Sequence, residues 1–176
     1  MKLTEAFDAP KNKWVVKNLV DLDEDVLDEI WNMFEHTYKS IGLVVSNMKQ
    51  MMNKYKISLL IDVDKDPLPD AFTIYKPTKF GAKMVLAGTD GSKPAKSALV
   101  KHKIATLKKR GWYIEASHRM ADILLSNNIN VVDDQATVEK VTGKKVKWLD
   151  DDGQYERSVG GGSIAATKRL FGNPKV

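Results

Sequence analysis

The sequence predicts one mixed α/β (α+β) sandwich, a mostly antiparallel sheet flanked by helices, over residues 1–176, with 160–176 as a glycine-linked tail. Three observations predict it. The chain has 176 residues, the size of one domain with a core of its own. Hydrophobic residues make up 43% and charged residues 29%, the balance of a folded chain and not of a disordered one. Strand-like and helix-like runs follow in the order strand, helix, helix, three strands, helix, strand, helix, then late strands. That irregular order suits a mixed sandwich better than a regular parallel sheet.

Residues 1–13 read as an arm or edge strand, and KWVVKNLV as the first strand. Asp21 and Glu24 have the spacing of a capping box. Val26, Leu27, Ile30, Trp31, Phe34 and Tyr38 then recur at helical spacing, so a helix is expected from residue 23 to about 40. Ser46 caps a second helix whose Met48, Met51, Met52 and Tyr55 share one side, a stripe that reads first as core filler. KISLLIDVD is a strand ended by Pro67 and Pro69. AFTIYKP and FGAKMVLA, parted by residues 77–79, predict an antiparallel pair.

From 83 to 132 the chain reads strand (KMVLA), turn (GTDGS), basic helix (SKPAKSALVKHKIATLKKRG), strand (WYIEAS), helix (HRMADILLSN) and strand (INVV). Val100, Ile104 and Leu107 are the expected buried stripe of the basic helix. DQATVEKVTG is a short helix ended by Gly143 in the left-handed region. KKVKWL and QYERSV flank an Asp-Gly hairpin turn at 150–153. Beyond the glycines at 160–162, SIAATKRLFGNP is expected as a short helix or a clip.

The formal net charge is +5 and unevenly spread. Between 92 and 111 stand Lys93, Lys96, Lys101, Lys103, Lys108, Lys109 and Arg110 without one acid, a face suited to a nucleotide cofactor, nucleic acid or an acidic protein. Zero cysteines exclude disulfides, a thiol nucleophile and thiolate-bound metal. The three histidines, His36, His102 and His118, have no metal-site spacing. No apolar run approaches a membrane span, and MKLTEAFDAP, acidic and broken by Pro10, is unlike a secretory leader. A soluble cytoplasmic protein is expected.

The turn at 88–92 opens the basic helix. A loop that presents unpaired N–H groups at a helix start favours an anion, because donors and dipole point the same way. The alternative is a plain β-turn followed by Ser92 as helix cap.

This element order resembles the Gcn5-related N-acetyltransferase (GNAT) family, in particular small acetyltransferase-like proteins encoded by bacteriophages. The resemblance covers most of residues 14–160, by order and not by identity. It implies a GNAT-like sandwich, acetyl-CoA or another acyl-CoA as co-substrate, an amine acceptor, and a host-cytoplasm location if the chain is phage-encoded. Leu86, Ala87, Gly88, Gly91, Ser92, Lys93, Ala95 and Lys96 lie where the family binds the cofactor, with a backbone N–H near Leu86 or Ala87 for the oxyanion. Several positions depart from the family pattern. GTDGSKPA replaces the usual Arg/Gln-x-x-Gly-x-Gly/Ala loop, and Pro94 deletes one N–H. Where the family favours Asn, Ala and Tyr, this chain has His118, Ala121 and Leu125, and the usual Gly-Phe is Ile129-Asn130.

Transfer of an acyl group to an amine requires a neutral amine, a stabilised oxyanion and a departing thiolate. Glu115 is the candidate base. It shares a strand face with Tyr113, while Trp112 and Ile114 take the other. Its alternative is a salt bridge to a neighbouring strand. Tyr113 is a candidate acid or a hydrogen-bonded core phenol, and His118 a proton shuttle or a residue beside a helix cap. Two other functions compete with acyl transfer: a catalytically silent phage structural or host-interaction protein of this fold, and a nucleic-acid-binding or -modifying protein using the basic helix.

Overall fold

A computed structural model describes residues 12–38, 55–62, 68–157 and 166–176, with backbone alone at 12, 36–38, 57–62 and 166. The second expected helix, the arm at 1–11, Pro67 and the glycines at 160–162 lie outside the described residues. The chain divides into two compact units, Met1–Ile74 with Leu86–Leu99, and Tyr75–Val85 with Val100–Val176. The strand order is β1-β2-β3-β4-β5-β8-β7-β6, with β3 and β4 passing through both units.

In the first unit, β1 (Asn12–Asn18) pairs antiparallel with β2 (Lys56–Asp62), in register from Asn12 opposite Asp62 to Asn18 opposite Lys56. A 3₁₀ turn at Leu19–Asp21 follows, fixed by the Leu19 N–H on the Tyr55 carbonyl at 3.2 Å. Helix α1 is Glu24–Tyr38. Ile30, Met33 and Phe34 are buried in it, and Trp31 meets Phe34 edge-on at 6.2 Å, as the helical spacing predicts. The capping box does not form. The Leu27 N–H reaches the Asp23 carbonyl at 3.0 Å, which leaves Asp21 two residues too early, accepting instead from the Asn18 side chain at 2.7 Å. Strand β3 (Pro69–Thr78) buries Ala71, Phe72, Thr73 and Ile74 in succession, the mark of a strand covered on both faces.

Two residues join β3 to β4 (Gly81–Thr89), so the pair is a hairpin and antiparallel. Helix α2 is Lys93–Leu107 and leads into β5 (Trp112–Ala116). Strand β5 pairs parallel with β4 through Ala82–Trp112, Lys83–Tyr113 and Met84–Ile114. Among the described residues the ladder ends there: β4 runs on to Thr89, and β5 runs on to Ala116 with β8 alone. The opening of β4 depends on Gly81, at φ +119°, whose Cα packs on the Gly111 backbone where any Cβ would collide.

In the second unit the two faces of β5 separate as the alternation requires. Tyr113 packs with Phe80, Val138, Val141, Tyr155 and Leu170; Ile114 and Trp112 pack with Met84, Leu107, Ala121, Leu124 and Phe171. Helix α3 is His118–Ser126 and α4 is Gln135–Thr142, the latter closed by Gly143 at φ 69° as expected. Strands β6 (Lys147–Trp148) and β7 (Tyr155–Arg157) form the expected hairpin, its turn held by the Asp150 carboxylate on the N–H groups of Asp152 and Gln154.

Two further expectations are overturned. INVV makes only an isolated bridge, Val131 to Phe171. The tail, expected as a short helix or clip, supplies β8 (Ala166–Gly172), which lies between β5 and β7 and pairs antiparallel with both. The seven residues of β8 place Leu170 and Phe171 on opposite faces. INVV, preceded by Asn128 at φ 56°, lies against β8 through the Val132 N–H on the Leu170 carbonyl and the Gly172 N–H on the Asn130 carbonyl. Gly172 is needed where the strand ends: at φ +110° its Cα approaches the Trp112 backbone too closely for a side chain.

Candidate functional site

The loop at 88–92 and the first turn of α2 belong to the first unit. Leu86 is half-buried, Ala87 is buried and Gly88 is buried at the end of β4. Gly91 sits at φ +90° with open space where a Cβ would be. Ser92 caps α2, its hydroxyl accepting from the Ala95 N–H at 3.3 Å. Ala95 is buried under the helix, while Lys93 and Lys96 are exposed.

Most of the donors expected to await an anion, the Lys93 N–H excepted, are occupied by the loop itself. The Thr89 hydroxyl accepts from the Gly91 N–H at 3.1 Å, and the Asp90 carboxylate accepts from the Ser92 N–H at 2.9 Å. Pro94 has no N–H, and the Lys96 N–H turns back to the Ser92 carbonyl at 3.0 Å. Asp90 is held in turn by its own N–H on the Asp70 carbonyl at 2.9 Å. The expectation of unpaired amides is therefore corrected: Asp-Gly-Ser makes an Asx turn, and its carboxylate stands where an incoming anion would dock. Asp90 is exposed, so rotation of one side chain reopens the Ser92 N–H.

In the second unit the sheet face carrying Tyr113 and Glu115 holds a compact ionic group. Glu115 accepts from Lys83 Nζ at 2.5 Å and from Arg157 Nη1 at 3.0 and 3.3 Å, with its own side chain only 3% exposed. Burial alone pushes this carboxyl up; Lys83 and Arg157 outweigh that effect and hold it below the ordinary value. This is the salt-bridge alternative. A carboxylate committed to two cations is a weak proton acceptor.

Tyr113 takes the core alternative. It is 1% exposed, its hydroxyl meets the Thr78 hydroxyl at 2.8 Å, and burial pushes its phenol up. Tyr155, opposite Lys168 in register, is fully buried, its hydroxyl beside the Glu115 carboxylate but without a well-formed hydrogen bond to it. Desolvation and then the Glu115 charge push that phenol far up.

His118 is exposed at the start of α3 with φ 48°, and Ser117 before it makes no side-chain cap. Both line a cavity of about 280 Å³ with Asp122, Gln154 and Arg169. Leu125 is 40% exposed.

The sequence reading missed Lys83, Arg157 and Lys168. Strand alternation placed Glu115 on its face, but its neighbours depend on the strand order, and β8 was not foreseen as a strand. It also missed that the buried side of α2 includes Lys103, one turn from both Leu99 and Leu107; burial lowers this amine to about 8. The other α2 lysines, Lys93, Lys96 and Lys101, are exposed. No group of three metal-ligating side chains occurs among the described residues, and no described helix is long and apolar enough to cross a membrane.

No family model matches the sequence, and no curated protein is similar to it. Solved structures are. An acyl-CoA N-acyltransferase from Pseudomonas aeruginosa matches with a TM-score of 0.53 at 10% identity, covering 90% of this chain and 98% of that one. The ribosomal-protein-S18-alanine N-acetyltransferase from Escherichia coli matches with a TM-score of 0.52 at 14% identity, covering 93% and 94%. At these identities what is shared is the fold: the chain has the GNAT sandwich that its element order resembles. Both matched proteins are bacterial, and they give the expected phage source no support.

Proposed function

We propose that this chain binds an acyl-CoA and transfers the acyl group to an amine. One observation carries the reading. In a chain with the acyltransferase fold, the parallel β4–β5 ladder stops after three pairs, and β4 then leads into a glycine turn at the start of a basic helix. The co-substrate supplies an acyl group activated as a thioester. On this chain the diphosphate falls to the Gly91 and Ser92 N–H groups, with Lys93 and Lys96 as point charges. The fit has two conditions: the Thr89 hydroxyl must release the Gly91 N–H, and Asp90 must leave the Ser92 N–H. Gly91 presents no side chain to obstruct it, and Asp90 is exposed.

Glu115 and Tyr113 then serve by position. Glu115 fixes Lys83 and Arg157, and Tyr113 fixes the start of β4 through Thr78. His118, exposed on its cavity, is the side chain that takes the proton from the acceptor amine, directly or through water. Much of the remaining rate comes from positioning. Melting the chain with millimolar acetyl-CoA tests the reading: binding raises the midpoint by mass action, and an unmoved midpoint removes it.

A specific observation favours a second reading, a catalytically silent protein of the same fold. Leu125 stands exposed where the family has tyrosine, and the loop is closed by its own carboxylate. Acyl-CoA binding without turnover on any amine tested, and unaltered by His118→Gln, supports that version.

A further inference from the structure

Among the described residues the ionic group around Glu115 is unbalanced. On four adjacent strands, Lys83 (β4), Glu115 (β5), Lys168 (β8) and Arg157 (β7) set three cations against one carboxylate. Glu115 is within ion-pair distance of Lys83 and Arg157. Lys168 feels its attraction but has no ion-pair partner among the described residues, and desolvation, then Arg157, Lys83 and Lys144, lower its amine. The β7–β8 connection, SVGGGSIA at 158–165, contains no acid to restore the balance. Glu156 is turned to Lys147 at 3.4 Å.

Partly buried cations in excess of their carboxylates favour an anion from outside. The side chains of Lys83 and Arg157 are 23% and 20% exposed, so the group is accessible. The Tyr155 hydroxyl, fully buried beside the Glu115 carboxylate but without a well-formed hydrogen bond to it, is a further donor next to the group. A guanidinium and two ammonium groups suit a carboxylate or a phosphate monoester alike.

We propose that Lys83, Arg157 and Lys168 form an oxyanion site that selects an acceptor amine carrying its own carboxylate or phosphate. The assignment to the acceptor rests on the acyl-transfer reading; the oxyanion site itself does not. Glu115 is then an internal competitor that sets the affinity of the site.

The test uses the full chain without acyl-CoA, titrated separately with succinate and with inorganic phosphate and followed by NMR shifts of β7 and β8 amides. Saturable binding of either probe is expected, and the tighter one identifies the group. Lys168→Met, which leaves both Glu115 ion pairs in place, is expected to weaken it about tenfold. Glu115→Gln, which removes the competing charge, is expected to tighten it by a similar factor. Binding of neither probe, or affinity unchanged in Lys168→Met, overturns the site. Acceptors matched in all but a carboxylate or carboxamide then read the selection: the carboxylate is expected to have at least tenfold higher kcat/KM, lost in Lys168→Met. Equal kcat/KM overturns the acceptor assignment. Oxyanion binding in a chain that fails to bind acyl-CoA overturns acyl transfer and leaves the site standing.

Discussion

Asp90 decides whether the helix start is a cofactor site, and its removal gives the proposal a sign as well as a size. In the closed loop its carboxylate accepts from the Ser92 N–H at 2.9 Å. A diphosphate must first break that bond, which at an exposed position costs about 1 kcal/mol net. It must then share the loop with a carboxylate roughly 5 Å away, a repulsion of about 0.8 kcal/mol in a water-like dielectric. Together these terms predict that Asp90→Ala tightens CoA binding by about tenfold to thirtyfold. Calorimetric titration of both forms at equal ionic strength measures it. The substitution also loses the Asx turn, so a melting curve of the unliganded variant should show a small loss of stability. CoA bound no more tightly by Asp90→Ala than by the parent refutes the reasoning, since the carboxylate would then block nothing.

The remaining tests follow from other parts of the molecule. Lys93→Glu with Lys96→Glu, both at exposed positions, should weaken CoA binding severalfold and leave the melting midpoint nearly unchanged; unaltered affinity would reduce the loop to a turn. Glu115→Gln should destabilise the fold by about 1–3 kcal/mol, below the full cost of breaking a buried pair because Lys83 and Arg157 retain water contact. The folded pKa of Glu115 is depressed, so its contribution is present above the ordinary value of 4.5 and lost as pH falls through the folded value. The acid limb of stability should therefore flatten in Glu115→Gln, and an unchanged limb would show that the pair contributes nothing. Burial first, then Lys109 and Lys103, lower His102 from 6.5 to about 4, so the unfolded chain binds the proton first and stability should fall between those values. His102→Leu should remove that fall. Lys103→Met should raise the melting midpoint by a few degrees, by about 2–4 °C for each 1 kcal/mol recovered, because the amine no longer loses hydration between Leu99 and Leu107. A lower midpoint would mean that Lys103 has a stabilising partner.

Local pattern foretold what local pattern controls. The helical recurrence of Ile30 and Phe34, the left-handed Gly143 and the Asp-Gly turn before Tyr155 each depend on a few adjacent residues, and each appears as expected. Strand alternation put Tyr113 and Ile114 on opposite faces, where they are found. Failures came where pairing depends on residues far apart in the chain. INVV and ATKRLFG both read as extended, and only strand order reveals that the second lies beside β5. The same blindness hid the ionic group, since Lys83, Glu115, Arg157 and Lys168 meet only once β8 lies between β5 and β7. At the loop the signal is in the sequence: Asp90-Gly91-Ser92 reads as an Asx turn, and a turn that satisfies its own donors offers fewer to a ligand. Leu99 and Thr106 joined the buried side of α2 for a tertiary reason, because rotation of the helix about its axis is set by the sheet beneath and not by the helix itself.

A crystal structure of the chain grown with acetyl-CoA would examine the joint between β4 and α2 most directly. The account predicts the diphosphate on the N–H groups of Gly91 and Ser92, Lys93 and Lys96 turned toward it, and Asp90 rotated away. Bound cofactor lying elsewhere, with the Asp90 carboxylate still on the Ser92 N–H, would contradict it.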